Sequence, residues 1–152
     1  MIRVLFVCHG NICRSPLAEF MLKKYVAERG LSDQFEIASA ATSREEIGND
    51  IHYGTRSILR KYNIPSTPRS ASQMTKHDYN HYDYLIGMDT ANIRNMIRIA
   101  GGDPAGKIYK LLTFAGSGRD VADPWYTGDF ETTYSDLCEG IEAFLDEITA
   151  SM

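Results

Sequence analysis

Apolar and polar positions alternate along the chain in two different periods. Ile2–Val7 (IRVLFV) is a continuous apolar, β-branched run, the pattern of a strand buried on both faces. Residues 8–15 are polar, with one Gly, and Pro16 then suits the first turn of a helix. Leu17, Ala18, Met21, Leu22 and Tyr25 form a helical stripe that ends near Gly30. Phe35–Ser39 reads as a second, weaker strand. Ile51, Thr55, Ile58, Leu59 and Tyr62 return to helical spacing, stopped by Pro65. Tyr84–Met88 predicts a third strand, and Ile93, Met96, Ile97 and Ala100 predict a helix closed by Gly101-Gly102. Lys107–Leu112 predicts a fourth strand. Tyr134, Leu137, Cys138, Ile141, Phe144, Leu145 and Ile148 make the clearest amphipathic helix of the chain.

Strands separated by helices imply right-handed crossovers and a parallel sheet covered on both faces. Ligands of such sheets bind beyond the carboxyl ends of the strands, near a point where the strand order reverses. The segment after the first strand is Cys8-His9-Gly10-Asn11-Ile12-Cys13-Arg14-Ser15-Pro16. Here a strand ends, eight residues curl and a helix starts. Backbone N–H groups of such a curl, with the helix N-terminus, form a nest for an anion. Gly10 tolerates a backbone that a Cβ resists, and Asn11 is the next most tolerant residue. The Arg14 guanidinium is a planar fork that matches two phosphate oxygens. Cys8 starts the loop, so its sulfur points into the nest. Amide dipoles, the helix end and Arg14 all favour thiolate over thiol, which makes Cys8 a nucleophile. Ser15 can donate a hydrogen bond to that sulfur when it departs. The alternative is a small core thiol at a strand end and a surface Arg. C-x5-R-S set directly between a strand and a helix favours the catalytic reading.

Composition sets the frame. At 152 residues the chain is expected to be one domain, able to bury roughly two-thirds of its unfolded surface. Hydrophobic residues at 43% and charged residues at 24% fit a globular protein and argue against disorder. No apolar run approaches the ~18 residues of a membrane span, and the first residues lack a signal-peptide layout. Three Cys, two of them five apart, do not make a disulfide scaffold, so a reducing cytoplasm is expected. The net charge of −4 is unevenly placed: nine acids and no base lie from Asp120 onward, and residues 1–119 carry a net +5. The acidic end reads as the solvated face of a helix. No basic stripe with interleaved aromatics is present, so nucleic acid is not an expected partner, and with no apolar run of spanning length neither is a membrane.

Other positions carry weaker signals. Asp123-Pro124 is a common turn pair, but it follows the fourth strand, at the end of the sheet where the nest sits. Trp125 and Tyr126 follow it, either packing onto the domain or stacking against a substrate ring. Cys13 either packs under the loop or takes part in its chemistry. Cys138 lies on an apolar helical stripe and is expected to be inert core. Asp89 reads as a helix N-cap before Asn92. His52, His77 and His81 show no partner spacing, and no cluster has metal-ligand spacing.

VLFVCHGNICRSPLAE resembles the phosphate-binding loop of the low-molecular-weight protein tyrosine phosphatases. The resemblance continues at Ser39-Ala40-Ala41-Thr42-Ser43, Gly87-Met88-Asp89 and Ala122-Asp123-Pro124-Trp125-Tyr126, and covers essentially the whole chain. It implies an α/β fold: a single three-layer domain, residues 1–152, with a four-stranded parallel sheet of order 2-1-3-4 and helices on both faces. It implies a phosphotyrosine phosphatase that needs no metal or other cofactor and works through a phosphocysteine on Cys8. Arg14 and the loop residues His9, Gly10, Asn11, Ile12, Cys13 and Ser15 would hold phosphate or a similar oxyanion. Asp123 would protonate the leaving phenolate and then activate water. Trp125 and Tyr126 would flank the ring of a phosphotyrosine protein or peptide. Cys13 would close a reversible disulfide on oxidised Cys8, and Asp89 would support the loop.

Three departures from the family pattern stand out. Arg44, Glu45 and Glu46 replace a bulky aromatic on the rim, so one wall of the cleft is expected to be polar. Pro68-Arg69-Ser70-Ala71-Ser72 stands where a His often braces the loop Asn, which leaves the brace of Asn11 open. His9 replaces a commonly apolar residue. Rival functions fare worse. A thioredoxin-coupled arsenate reductase needs two further Cys between Cys13 and Cys138, where there are none. Protein-arginine phosphatases typically carry Thr where Ile12 stands. A phosphocysteine carrier has no use for Asp123 or the aromatic pair, and an anion-binding module has none for Cys8.

Overall fold

The computed structural model describes residues 1–152. Four strands, β1 (Ile2–Cys8), β2 (Phe35–Ala41), β3 (Tyr84–Gly87) and β4 (Ile108–Lys110), run parallel in the order β2-β1-β3-β4. This is the expected sheet. β1 is central because its side chains are apolar in both directions. Val4, Phe6 and Cys8 join one core cluster; Leu5 and Val7 join another. Six helices cover the two faces: α1 (Arg14–Glu28), α2 (Tyr53–Lys61), α3 (Lys76–His81), α4 (Thr90–Ala100), α5 (Pro124–Thr127) and α6 (Phe130–Ala150). The larger cluster packs Leu17, Met21 and Leu22 of α1 with Leu137, Ile141, Phe144 and Leu145 of α6 under one face. Tyr79 of α3 with Met96 and Ala100 of α4 covers the other. No helix is long and apolar enough to cross a membrane.

The chain leaves β1 toward β2 on one side and later adds β3 on the other, so the strand order reverses at the carboxyl end of β1. The 8–15 loop sits at that reversal.

Several expectations need correction. β4 spans three residues rather than Lys107–Leu112, because Leu111–Ala115 tighten into a 3₁₀ turn that buries Leu111 and Leu112. α3 has no apolar stripe in the sequence. It is held by a capping box between Thr75 and Asp78 and by one buried side chain, Tyr79. Cys138 is half-buried, with its Sγ 3.6 Å from the Tyr25 hydroxyl, rather than part of the inert core. The acidic end is more than a solvated face. Asp120, Glu131 and Asp146 pair with Lys110, Lys61 and Arg29, and Asp136 and Glu139 both pair with Arg119. The positive surplus of residues 1–119 thus meets the negative end inside one domain.

Candidate active site

The loop after β1 turns at Asn11, whose φ of 58° lies in the left-handed region. Gly10 has an ordinary φ, which corrects the expectation for that residue; it matters for space, since a Cβ there would stand 3.3 Å from Glu46 Cγ. Asn11 tolerates its conformation because its side chain is fully used. Nδ2 donates to Ser15 Oγ (2.8 Å) and Ser39 Oγ (3.0 Å), and Oδ1 accepts from Arg69 Nη2 (2.5 Å) and the Ser72 amide (3.2 Å). Arg69 also donates to the Asn11 carbonyl at 2.6 Å. The brace left open by the sequence is therefore Arg69, and burial pulls its pKa below the usual arginine value.

The five backbone N–H groups from His9 to Cys13 have no acceptor within the protein. α1 begins directly after them, and no side chain caps its N-terminus. Free amides followed by an uncapped helix start are what an anion site requires. Cys8 is 3% exposed at the base of this loop. Its Sγ lies 3.0 Å from Ser15 Oγ and accepts from the Ser15 amide at 3.4 Å.

Arg14 is 2% exposed, an unusual burial for a guanidinium. It is satisfied by groups from two remote loops. Nη1 donates to Asp89 Oδ2 (2.8 Å) and the Val121 carbonyl (3.1 Å), and Nη2 donates to Asp123 Oδ2 (3.2 Å). Burial pushes its pKa down, but Cys8, Asp123 and Asp89 together push harder and the net shift is up. Asp89 fills both roles read from the sequence: Oδ1 caps α4 through the Asn92 amide, and Oδ2 holds Arg14. Asp123 caps α5 through the Trp125 amide, 3.0 Å from its Oδ1.

These groups line one cleft of about 310 Å³: Cys8, His9, Gly10, Ile12, Cys13, Arg14, Glu45, Glu46, Asp123, Trp125 and Tyr126. Of the residues singled out in the sequence, Asn11 and Ser15 stand behind the wall rather than in it, both fully buried. Trp125 is 61% exposed and Tyr126 84%. Trp125 is the one that also packs on the domain, edge-on to His52 at 6.0 Å. Glu45 and Glu46 occupy the rim, and Glu45 Oε2 lies 2.9 Å from His9 Nε2. Cys13 lines the cleft but is largely buried; burial first, then Cys8 and Asp123, push its thiol up to about 12. The sequence carries no signal for a role of Ser39, Arg69 and Ser72, because their part depends on β2 and the loop between α2 and α3 meeting at Asn11.

The arrangement gathers a thiol, a set of free amides with a buried guanidinium, and a carboxyl in one cavity. The family model for low molecular weight phosphotyrosine protein phosphatase matches residues 3–152. The low molecular weight protein-tyrosine-phosphatase YfkJ of Bacillus subtilis is 38% identical over 154 residues, covering 100% of this chain and 96% of that protein. The crystal structure of YfkJ superposes with a TM-score of 0.95 at 39% identity, covering 99% of this chain and 96% of that one. A low molecular weight protein tyrosine phosphatase from Streptococcus pyogenes superposes with a TM-score of 0.88 at 43% identity, covering 97% and 93%. A Drosophila arginine phosphatase does so at 0.87 with 26% identity, covering 97% and 98%.

Proposed function

The chain belongs to the low molecular weight phosphotyrosine protein phosphatase family, and we propose that it hydrolyses protein phosphotyrosine through a phosphocysteine intermediate without a metal ion. The observation that carries this reading is the meeting of Cys8 and Arg14, from the loop after β1, with Asp123, more than a hundred residues away, in one cleft beside five free amides.

The phosphoryl dianion enters the nest, where its equatorial oxygens take the free amides and the Arg14 guanidinium. A phosphoryl transition state spreads charge over those oxygens, so a preformed set of donors stabilises it most where charge builds. Arg14 is already oriented by Asp89 and Val121. Substrate oxygens compete for Nη2, which at rest bonds Asp123, and so free that carboxyl for the leaving group. The Cys8 thiolate attacks phosphorus in line. The P–O bond to the ring breaks, and protonated Asp123 gives its proton to the departing phenolate oxygen. A water then attacks phosphorus, Asp123 takes its proton, and the P–S bond breaks. Ser15 Oγ, 3.0 Å away, donates a hydrogen bond to the thiolate as it leaves. Arg14 and the amides supply the positive field throughout, and no step requires a metal. A nucleophilic thiol must stay reduced, which suits a cytoplasmic setting.

Depth sets the substrate. Cys8 lies at the floor, with Ile12, Trp125 and Tyr126 among the walls. A phenyl ring is long enough to bring phosphate to the sulfur; a serine side chain is not. The similarity to an arginine phosphatase makes phosphoarginine the one rival worth measuring. Steady-state assays on matched phosphotyrosine, phosphoserine and phosphoarginine peptides, with and without a chelator, test the reading. Turnover of phosphotyrosine alone, unchanged by chelator, is expected. Preference for phosphoarginine, or loss of rate on chelation, would overturn it.

A further inference from the structure

Between Gly116 and α5 the chain forms no helix or strand, yet this segment must deliver Asp123 to within a hydrogen bond of Arg14. Two successive residues are pinned on both backbone polar groups. Val121 donates its amide to the Met88 carbonyl at the end of β3 (2.9 Å), and its carbonyl accepts from Arg14. The next residue, Ala122, is held on both polar groups by α6. Its amide donates to Asp136 Oδ2 at 3.0 Å, and its carbonyl accepts from Thr133 Oγ1 at 2.8 Å. Thr133 and Asp136 are three residues apart and so share one face of the helix. Thr133 is fully buried and Asp136 nearly so. The second oxygen of Asp136 accepts from Arg119 Nη1 at 2.8 Å. One carboxylate therefore ties the segment at both Arg119 and Ala122. α6 itself is anchored by Leu137, Ile141, Phe144 and Leu145, all fully buried, so the anchor is rigid.

Neither Thr133 nor Asp136 lines the cleft. We infer that Thr133 and Asp136 are positioning residues for the general acid, fixing the backbone beside Asp123 so that its carboxyl meets the leaving oxygen. The inference rests on the reading of Asp123 as the acid. A carboxyl displaced by about an ångström loses much of its effect, on the order of 10² in rate at worst. The loss should fall on esters whose leaving group needs a proton and spare those whose leaving group does not.

The test compares Thr133→Val, Thr133→Ser, Asp136→Ala, Asp136→Asn and Asp123→Ala on aryl phosphates of graded leaving-group pKa, over a full pH range. Thr133→Val keeps the shape and removes only the donor. It should slow esters with poor leaving groups by roughly tenfold or more and the most activated esters by less than about threefold. Thr133→Ser, which restores the donor, should recover the rate. Asp136→Asn keeps an acceptor for the Ala122 amide and should lose less than Asp136→Ala. In the Asp123→Ala background Thr133→Val should add nothing on poor leaving groups, since no acid remains to misplace. If Asp123→Ala shows the leaving-group split while Thr133→Val and Asp136→Ala slow all esters equally, the positioning role is wrong. If Asp123→Ala itself slows all esters equally, the acid assignment fails and this inference falls with it.

Discussion

Asn11 concentrates the cost of building the loop, and replacing it separates two contributions. Asn11→Gly keeps access to the φ of 58° and removes four side-chain hydrogen bonds, three to neutral groups and one to the Arg69 guanidinium. At about 1 kcal/mol for each neutral bond and about 2 for the charged one, less what water and relaxation return, the loss is about 3–5 kcal/mol. Asn11→Ala loses the same bonds and must also hold a left-handed backbone. The αL penalty of 1–2 kcal/mol is partly offset by the lower chain entropy of unfolded Ala, so it should be about 1 kcal/mol less stable than Asn11→Gly. Against a typical total of 5–15 kcal/mol, either change is large. Urea unfolding gives the comparison, provided the slope against denaturant is unchanged. The freed loop should also bind vanadate more weakly, because its amides are no longer held in place. Arg69→Ala, which removes one arm of the brace, should lie between wild type and Asn11→Gly on both measures. Variants within about 1 kcal/mol of wild type, or Asn11→Ala more stable than Asn11→Gly, would refute this account of the loop.

Asp123→Ala should slow phenyl esters with poor leaving groups by ~10²–10⁴-fold and activated esters much less; equal losses would remove Asp123 as the acid. Peroxide should inactivate the enzyme by converting Cys8 to a sulfenic acid, after which the Cys13 sulfur attacks it and hydroxide leaves, giving a disulfide that thiols reduce. Burial raises the Cys13 thiol above its usual value, and only its thiolate attacks, so closure should quicken steadily as pH rises through the alkaline range. Stopped-flow at several pH values with disulfide mapping checks this, and Cys138 as the partner would contradict it. Glu45 and Glu46 on the rim should favour phosphotyrosine flanked by basic residues by about 0.2–1 kcal/mol per exposed pair, fading with salt. Matched Lys-rich and Glu-rich peptides at low and high salt test it, with an acidic preference at low salt as the contrary result.

What could be read in advance follows from where the information lies along the chain. β1 and α6 are legible because burial writes a local pattern into consecutive residues, a continuous apolar run over the seven of β1 and a helical period over the twenty-one of α6. The pattern overstates β4 because Leu111 and Leu112 are as apolar as a strand requires, but bury themselves through a 3₁₀ turn. α3 escapes the pattern because one Tyr and a capping box leave no periodic trace. In the site, Cys8, Arg14 and Ser15 were visible because they fall within eight residues. The Arg69 brace, the Asp136 and Thr133 hold on Ala122, and the pairing of the acidic end with Lys61, Arg29 and Arg119 join residues that only folding brings together. Single side chains in such contacts show no spacing along the chain.

The central claim is that the phosphoryl group passes through Cys8. Mixing the enzyme with a large excess of an activated aryl phosphate, denaturing it within the turnover time and mapping the modified peptide by mass spectrometry tests this directly. A phosphoryl group on Cys8 Sγ is expected, absent from Cys8→Ser, which should make no product while still binding vanadate. Product formation by Cys8→Ser at a substantial fraction of the wild-type rate, or a phosphoryl group on His9 or Ser15 instead, would contradict it.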